Sequence, residues 1–485
     1  MVIESLKYKI LQQFGFAPTQ EQGQALDTFV SFLTDRDPQA VMILRGSAGT
    51  GKTSLSGAIV RTLLQIRQKV MLLAPTGRAA KVFSLGSGAP AYTIHRRIYR
   101  EKAFAGVDGQ FSLNDNLYTD TLFMVDEASM IANMGLGGTT FGSGCLLDDL
   151  VKFVYQGHND RLLLIGDKAQ LPPVGEEESP ALSASVMEGY GLKVYECDLN
   201  EVLRQSQSSG ILYNATLIRQ MITHDAVTGL PLIRFKGFAD IVMMPGAELV
   251  ESLGDSYHHV GMDETMVITR SNKRANIYNN GIRNMVLDRE EELSSGDMLM
   301  IVKNNYFWTE KESGEGSAGA VPAFLANGDR AKVLRVSNYI ELYGFRFATL
   351  LLQLPDYDDY EMQVTGMLDT LQSEAPALTH EQQEELFRQV EEDYQHFVPL
   401  KADRMKSIRQ DAYFNALQIK YAYAVTCHKA QGGQWAHVYV DQGYMTDDML
   451  TPDYIHWLYT AFTRATDKLF LVNWPKEQTC EPTDL

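Results

Sequence analysis

The sequence predicts an α/β protein with two sets of parallel strands covered by helices, and a small β-barrel inserted into the second set. Three observations predict it. The apolar run Val41-Met42-Ile43-Leu44 leads directly into a glycine-rich turn and a helical stretch from Ser54 to about Arg67. Short apolar runs alternate with helix-like segments from 40 to 200, and the alternation returns at Met266–Thr269 and again after Lys420. The chain between those points reads differently, as strands at Met298–Val302, Ala331–Val336 and Phe345–Leu352. Alternating strands and helices make a parallel sheet with both faces covered, whereas consecutive strands close on themselves.

Taken in order, Phe16 to Phe32 reads as an amphipathic helix opened by Pro18-Thr19, with Ala25, Leu26, Phe29, Val30 and Leu33 on one side. Val70–Ala74 is a second buried strand, ending in Pro75-Thr76-Gly77-Arg78 and a helix through Phe83. Between 96 and 120 apolar residues alternate around Asp108-Gly109, a hairpin signal with its tip at that dipeptide. Leu122–Val125 and Arg161–Ile165 are the third and fourth strands, separated by a glycine-rich loop, Gly135 to Gly144. In the second half Ser271 to about Met285 is helical, and His437–Val440 and Lys468–Val472 are further strands. Thr379 to Phe397 is a single helix with a capping box, Thr379 and Gln382, and an apolar stripe of Leu386, Val390, Tyr394 and Phe397, read as packing on its own domain, with a docking surface for a partner as the competing reading.

The 485 residues suit three or four domains, and 45% hydrophobic with 21% charged residues is ordinary globular material. A net charge of −18 excludes a coat of basic surface but leaves room for a local basic channel. Such an excess exists: Arg67, Lys69, Arg78, Lys81, Arg96, Arg97 and Arg100 stand against Glu101 alone. Four cysteines lie far apart without metal-ligand spacing, which points to a reducing compartment and a cytoplasmic protein. No run of about 18 apolar residues signals a membrane span.

The chemistry starts at Gly46-Ser47-Ala48-Gly49-Thr50-Gly51-Lys52-Thr53, followed by Ser54. Glycines at these positions let backbone N–H groups turn inward on phosphates at the positive end of the following helix. Lys52 then meets the β- and γ-phosphates of ATP, and the Thr53 hydroxyl ligates Mg²⁺. Asp126-Glu127 closes the third strand, so that Asp126 holds Mg²⁺ and Glu127 orients and deprotonates the attacking water. Gln170 follows the fourth strand, placed to report whether the γ-phosphate is present.

These blocks, in this order, resemble the superfamily 1 helicases. So do Pro75–Ala80, Thr93-Ile94-His95, Leu203-Arg204-Gln205, Asn304-Asn305-Tyr306 with Asn327-Gly328-Asp329, Thr426–Gly432 and Tyr459–Ala465. The resemblance spans roughly 16 to 473 and is to the RecD/Dda branch, whose members translocate 5′→3′ on single-stranded DNA. It implies two RecA-like motor domains, at 1–95 with 121–205 and at 206–330 with 416–485. It places a pin at 96–120 and an SH3-like barrel with one helix at 331–415. It implies that Gln22 reads the adenine edge and that Arg204 and Arg464 reach the γ-phosphate from the second motor domain. Gln434 stands where relatives carry an acid that meets the ribose. Pro75, Thr76, Arg78 and His95 on the first motor domain, with Thr426, His428 and Lys429 on the second, are implied to contact DNA. Phe104, Val107 and Phe111 are wedge candidates, and an ordinary surface hairpin is the competing reading; Arg78 is either a DNA contact or a cap on its helix face.

The expected activity is therefore an ATP- and Mg²⁺-dependent 5′→3′ DNA translocase and helicase acting on single-stranded, tailed or forked DNA in replication, repair or recombination. The short stretch before Phe16 favours a self-sufficient monomer, with replication or repair proteins as partners. Two alternatives remain: a RecD-like motor subunit of a multi-subunit recombination nuclease, and a nucleotide-switched DNA-binding ATPase that does not unwind.

Overall fold

The structure is a computed structural model that describes residues 2–105, 108–135, 142–201, 208–223, 229–312, 324–446 and 449–480. The first half holds strands β1 (Ala40–Gly46), β2 (Lys69–Ala74), β3 (Ala91–Thr93), β4 (Tyr99–Ala105), β5 (Asp108–Leu113), β6 (Thr121–Val125), β7 (Arg161–Gly166) and β8 (Lys193–Leu199). Six of them form one parallel sheet in the order β3-β2-β6-β7-β1-β8, while β4 and β5 form a separate antiparallel hairpin. Strand β1 is buried over its whole length because its side chains serve two cores. Val41 and Ile43 enter one with Phe123, Leu150 and Leu164, and Met42 and Leu44 enter the other with Phe29, Leu55 and Ile59.

A helix over Val2–Phe14 precedes everything read from the sequence and joins this second core through Leu6, Ile10 and Phe14. Burying side chains of this size stabilises by about 1.5–3 kcal/mol each, so the helix is part of the domain.

The second half continues with β9 (Ile241–Met244), β10 (Thr265–Thr269), β11 (Met298–Ile301), β12 (Arg330–Leu342), β13 (Phe345–Leu354), β14 (Tyr360–Met367), β15 (Leu417–Tyr421), β16 (Ala424–Thr426), β17 (Trp435–Asp441) and β18 (Ala465–Val472). Its parallel sheet runs β16-β10-β17-β18-β9, and β11 to β15 close a barrel. The barrel departs from the span 331–415. Its closure needs β11 and β15, which pair with each other through Leu299 and Tyr421 and lie on either side of that span. It also carries two helices, His380–Gln395 and Lys401–Arg409. Leu386 and Val390 of the first pack inward as their spacing predicts, but Phe397 lies beyond the helix and is 79% exposed.

The hairpin closes two residues earlier than its sequence suggests. Ala105 pairs with Asp108 and Phe104 with Gly109, so the Asp-Gly dipeptide is strand rather than turn. Val107 lies outside the described residues. Phe111 is not free to act as a wedge: its ring packs on Tyr306 at 4.6 Å, and Tyr306 stacks on Phe324 at 4.7 Å.

One buried carboxylate ties the barrel to the second sheet. Asp297, immediately before β11, accepts from Arg283 Nε and Nη2 at 3.0 Å each, Arg289 Nη1 at 2.7 Å, the Tyr423 hydroxyl at 2.8 Å and the Ser294 N–H at 2.7 Å. Removing one member of such a network leaves uncompensated buried charge. Asp297→Ala is expected to destabilise the chain by about 3–5 kcal/mol, read as a lower midpoint in urea unfolding. A midpoint equal to that of the wild type would contradict this account.

Candidate nucleotide site and the contacts across the cleft

The glycine-rich turn joins β1 to the helix Lys52–Gln65 as its residue pattern requires. Gly49 and Gly51 take φ of 77° and 80°, the left-handed region that side chains disfavour. A Cβ on Gly46 would come within 2.8 Å of the Lys52 side chain. Thr50 Oγ1 donates to Ser47 O at 2.8 Å, and Lys52 Nζ donates to Gly46 O and to Ser47 O, the latter at 3.1 Å. The lysine thus folds over its own loop. Thr53 and Ser54 are exposed at the start of the helix.

Gln22 is 1% exposed and its amide is committed to the protein. The oxygen accepts from Thr19 N at 3.0 Å, completing a capping box, and the nitrogen donates to Thr50 O at 2.9 Å. It braces the loop from behind in the arrangement described.

Asp126 ends β6, where its Oδ1 accepts from the Glu127 N–H at 2.9 Å. Burial, and then the adjacent Glu127, push the Asp126 carboxyl upward, with Lys52 pulling the other way. Glu127 itself holds φ 51° and ψ 37°, a left-handed conformation worth roughly 1–3 kcal/mol of strain in a residue with a Cβ. Gln170 is 7% exposed, and its side-chain oxygen is buried without a partner. An orphaned acceptor beside the loop after β7 fits a site that takes a polar ligand.

The structure brings the second half of the chain onto this loop through residues the motifs left without a role. The Tyr459 hydroxyl accepts from the Ala48 N–H at 3.0 Å and donates to Asp167 Oδ2 at 2.6 Å. Tyr459 is 1% exposed, and burial together with Asp167 raises its phenol well above the usual range, so it stays a donor. Alongside it, Leu171 N donates to Thr460 Oγ1 at 2.8 Å and Gln431 Nε2 donates to Leu171 O at 2.7 Å. His456 Nδ1 lies 2.9 Å from Ala169 O, and Arg219 Nη1 donates to Ser47 Oγ at 2.5 Å. A cleft of about 780 Å³ opens here between Gly46, Ser47 and Lys168 on one side and Arg219 and His456 on the other.

Arg464 does not point across this cleft. Its Nε donates to Thr460 O, its Nη1 to Gly433 O and its Nη2 to Thr463 Oγ1, each at 3.1 Å. At 2% exposure the guanidinium is spent within its own domain in the arrangement described. Arg204 lies outside the described residues.

Gln434 is exposed, and its carbonyl accepts from Arg78 Nη2 at 2.6 Å. Its contact is with the helix Gly77–Ser87 rather than with the glycine-rich turn, a second departure. Arg78 also stacks on Trp435 at 4.6 Å and lies 3.9 Å from Asp356 of the barrel. It is a strut joining three parts of the fold.

Thr76, after Pro75, caps the same helix by accepting from Ala79 N at 3.2 Å. Burial pushes the half-buried His95 imidazole down to about 4, so it is neutral at pH 7 and suited to hydrogen bonding rather than ion pairing. Thr426 caps the helix Cys427–Ala430 without a side-chain bond, and His428 is exposed. Lys429 Nζ is buried with no partner, and burial, then Lys420, push it down to about 8. An unpaired buried ammonium is costly, and an anion delivered to it relieves the cost.

No group of three or more metal-ligating side chains occurs among the described residues. Asp126 and Thr53 offer one carboxylate and one hydroxyl, oxygen ligands of the kind Mg²⁺ takes together with phosphate. No described helix is long and apolar enough to cross a membrane. Tyr459→Phe, which strips the hydroxyl from two buried partners, is expected to cost about 1–3 kcal/mol of unfolding free energy. Urea titration of both forms checks it, and equal stability would show that the clasp is not formed.

Residues 17–229 match the AAA domain model, and 421–472 match the UvrD-like helicase C-terminal domain. The chain is 33% identical over 168 residues to an uncharacterized protein of Methanocaldococcus jannaschii, covering 32% of this chain and 13% of that protein. It is 30% identical over 157 residues to the ATP-dependent RecD2 DNA helicase of Deinococcus radiodurans, covering 32% of this chain and 18% of that one. To the ATP-dependent DNA helicase dda of Enterobacteria phage T4 it is 25% identical over 281 residues, covering 56% and 58%. These matches therefore span less than two thirds of each relative's length. A structure of Pif1 helicase from Bacteroides in complex with ADP-AlF3 and single-stranded DNA aligns over 96% of this chain and 95% of its own, at 14% identity and a TM-score of 0.47. In the order of its two domain models and in its RecD2 and dda relatives, the chain is similar to the superfamily 1B helicases of the RecD/Dda type.

Proposed function

We propose that the chain is an ATP- and Mg²⁺-dependent 5′→3′ translocase and helicase on single-stranded, tailed or forked DNA. In this reading it is a cytoplasmic monomer that acts in replication, repair or recombination, alongside protein partners of those processes. The observation that carries this reading is that Ala48 of the phosphate loop and Asp167 share the hydroxyl of Tyr459, a residue of the other motor domain. A change at the loop is thereby a change in the angle between two domains, which is what a motor needs and a simple hydrolase does not.

Magnesium-bound ATP supplies the γ-phosphoryl group and the charge that the site must neutralise. Lys52 leaves the carbonyls of Gly46 and Ser47 to bind phosphate, with Thr53 and Asp126 holding the metal. Glu127 takes the proton of the attacking water, and Gln170, with its free acceptor, orients that water. Arg204 and Arg464 complete the far wall; Arg464 does so after exchanging its bonds to Thr460 and Gly433. On the other side of the domains, the hydroxyls of Thr76 and Thr426, the imidazoles of His95 and His428 and the ammonium of Lys429 hold the DNA backbone. Such groups read phosphate and stacking rather than base edges, so binding is independent of sequence.

The decisive measurement is hydrolysis with and without single-stranded DNA, followed by strand displacement on matched 5′-tailed and 3′-tailed duplexes. DNA is expected to stimulate hydrolysis strongly, with only the 5′-tailed duplex unwound. Glu127→Gln is expected to lower kcat by about 10²–10⁴, and Lys52→Ala to abolish turnover, with DNA binding retained in both. Hydrolysis indifferent to nucleic acid would refute the reading, and unwinding of the 3′-tailed duplex alone would refute the polarity.

Lys429→Ala is expected to weaken single-strand binding and to reduce the slope of log K against log salt by about 0.7, the share of one phosphate contact. Because the Lys429 pKa is lowered to about 8, its charge is present below that pH and is lost above it. Wild-type affinity should therefore fall as pH rises through 8, while the variant stays flatter. Parallel pH profiles would remove Lys429 from the DNA contact.

A further inference from the structure

We propose that Arg219 is a positioning residue for the nucleotide, a guanidinium from the second motor domain that leaves Ser47 to take the γ-phosphate of ATP. The inference rests on the ATP reading above and assigns a residue that none of the matched sequence blocks contains. Four observations carry it.

Arg219 sits on the helix Gly210–Thr223 and reaches across the cleft, so that its Nη1 meets the Ser47 hydroxyl at 2.5 Å. Ser47 is the second residue of the phosphate cradle. The guanidinium therefore already touches the loop that would hold the nucleotide.

Its other bonds are weak or missing. Nη1 and Nη2 lie 3.4 and 3.5 Å from the side-chain oxygen and the carbonyl of Asn200, and Nε is buried with no partner. A guanidinium has five N–H donors in a rigid fork, and here most of that capacity is unspent. Phosphate oxygens match the fork in geometry and charge better than one neutral hydroxyl does.

Among the described residues, the other arginines near the site and the loop lysine are differently placed. Arg464 has all three of its nitrogens bonded to oxygens of its own domain, and Arg45 is ion-paired to Asp198 at 2.6 Å and Glu196 at 2.8 Å. Lys52 comes from the loop itself and so carries no information about the second domain.

There is room for the guanidinium to move. A cleft of about 780 Å³ adjoins Gly46, Ser47 and Arg219, beside the loop rather than over Lys52 and Thr53. Arg219 stays on Ser47 when the γ-phosphate is gone, and the two domains then remain joined through a hydroxyl. With the phosphate present they are joined through charge.

The test is calorimetric titration of the full chain with Mg²⁺-ATPγS and with Mg²⁺-ADP, for wild type, Arg219→Ala and Arg219→Lys. Arg219→Ala is expected to bind ATPγS roughly tenfold more weakly or worse, with ADP affinity changed by less than about twofold. Arg219→Lys, which keeps the charge but not the fork, is expected to recover part of the loss. Thermal melting of each variant accompanies the titration, and Arg219→Gln, which can still bond Ser47, is expected to show the same selective loss as alanine. ATPγS affinity unchanged in Arg219→Ala overturns the proposal. So does an equal loss toward ADP, which marks a merely structural contact. Wild-type protein that binds neither nucleotide instead overturns the ATP reading on which it stands.

Discussion

Much of the structure depends on one hydroxyl. The phenol of Tyr459 lies between a backbone N–H of the phosphate loop and the carboxylate of Asp167, inside a contact from which water is excluded. A buried donor or acceptor stripped of its partner costs about 1–3 kcal/mol, so neither bond can be stretched by degrees. Thr460 and Gln431 hold Leu171 in the same manner, from two different segments of the second domain. The contact is therefore either made or broken. Packed interfaces with buried polar pairs have two arrangements rather than a continuum, and this is how a small chemical change at a loop becomes a large change between domains.

The distribution of arginines follows from the same constraint. In the arrangement described, Arg464 is occupied within its own domain while Arg219 spans the gap.

What the sequence disclosed, and what it did not, divides along physical lines. The loop at Gly46–Thr53, the strand-end pair Asp126-Glu127 and the two parallel sheets were legible because each is specified by local pattern: glycine where φ is positive, apolar runs where both faces are buried. The Thr19–Gln22 capping box is a local signal too, yet its spacing does not say that the Gln22 nitrogen is used up on Thr50 O. Strand β8 escaped notice because it lies at a sheet edge with only Leu199 fully buried and so carries no continuous apolar run. The barrel was recognised but misbounded, since its closure by β11 and β15 is a pairing between segments more than a hundred residues apart. Tyr459 stood within a matched block without a role, and Arg219 is one polar residue in a helix of ordinary pattern. Contacts made only in three dimensions leave no mark on either.

Arg78 holds a further consequence. It binds the carbonyl of Gln434, stacks on Trp435 and faces Asp356 of the barrel, on the side of the first domain where Thr76 caps its helix. The two halves of the chain are thus joined at the phosphate loop by Tyr459 and again, away from it, by Arg78, with Lys81 bonded to Pro355 O and Phe111 packed on Tyr306. Breaking the contact at the loop therefore leaves the halves tethered through the helix after β2 and the barrel, so that a chemical event at the loop changes how they are held without parting them.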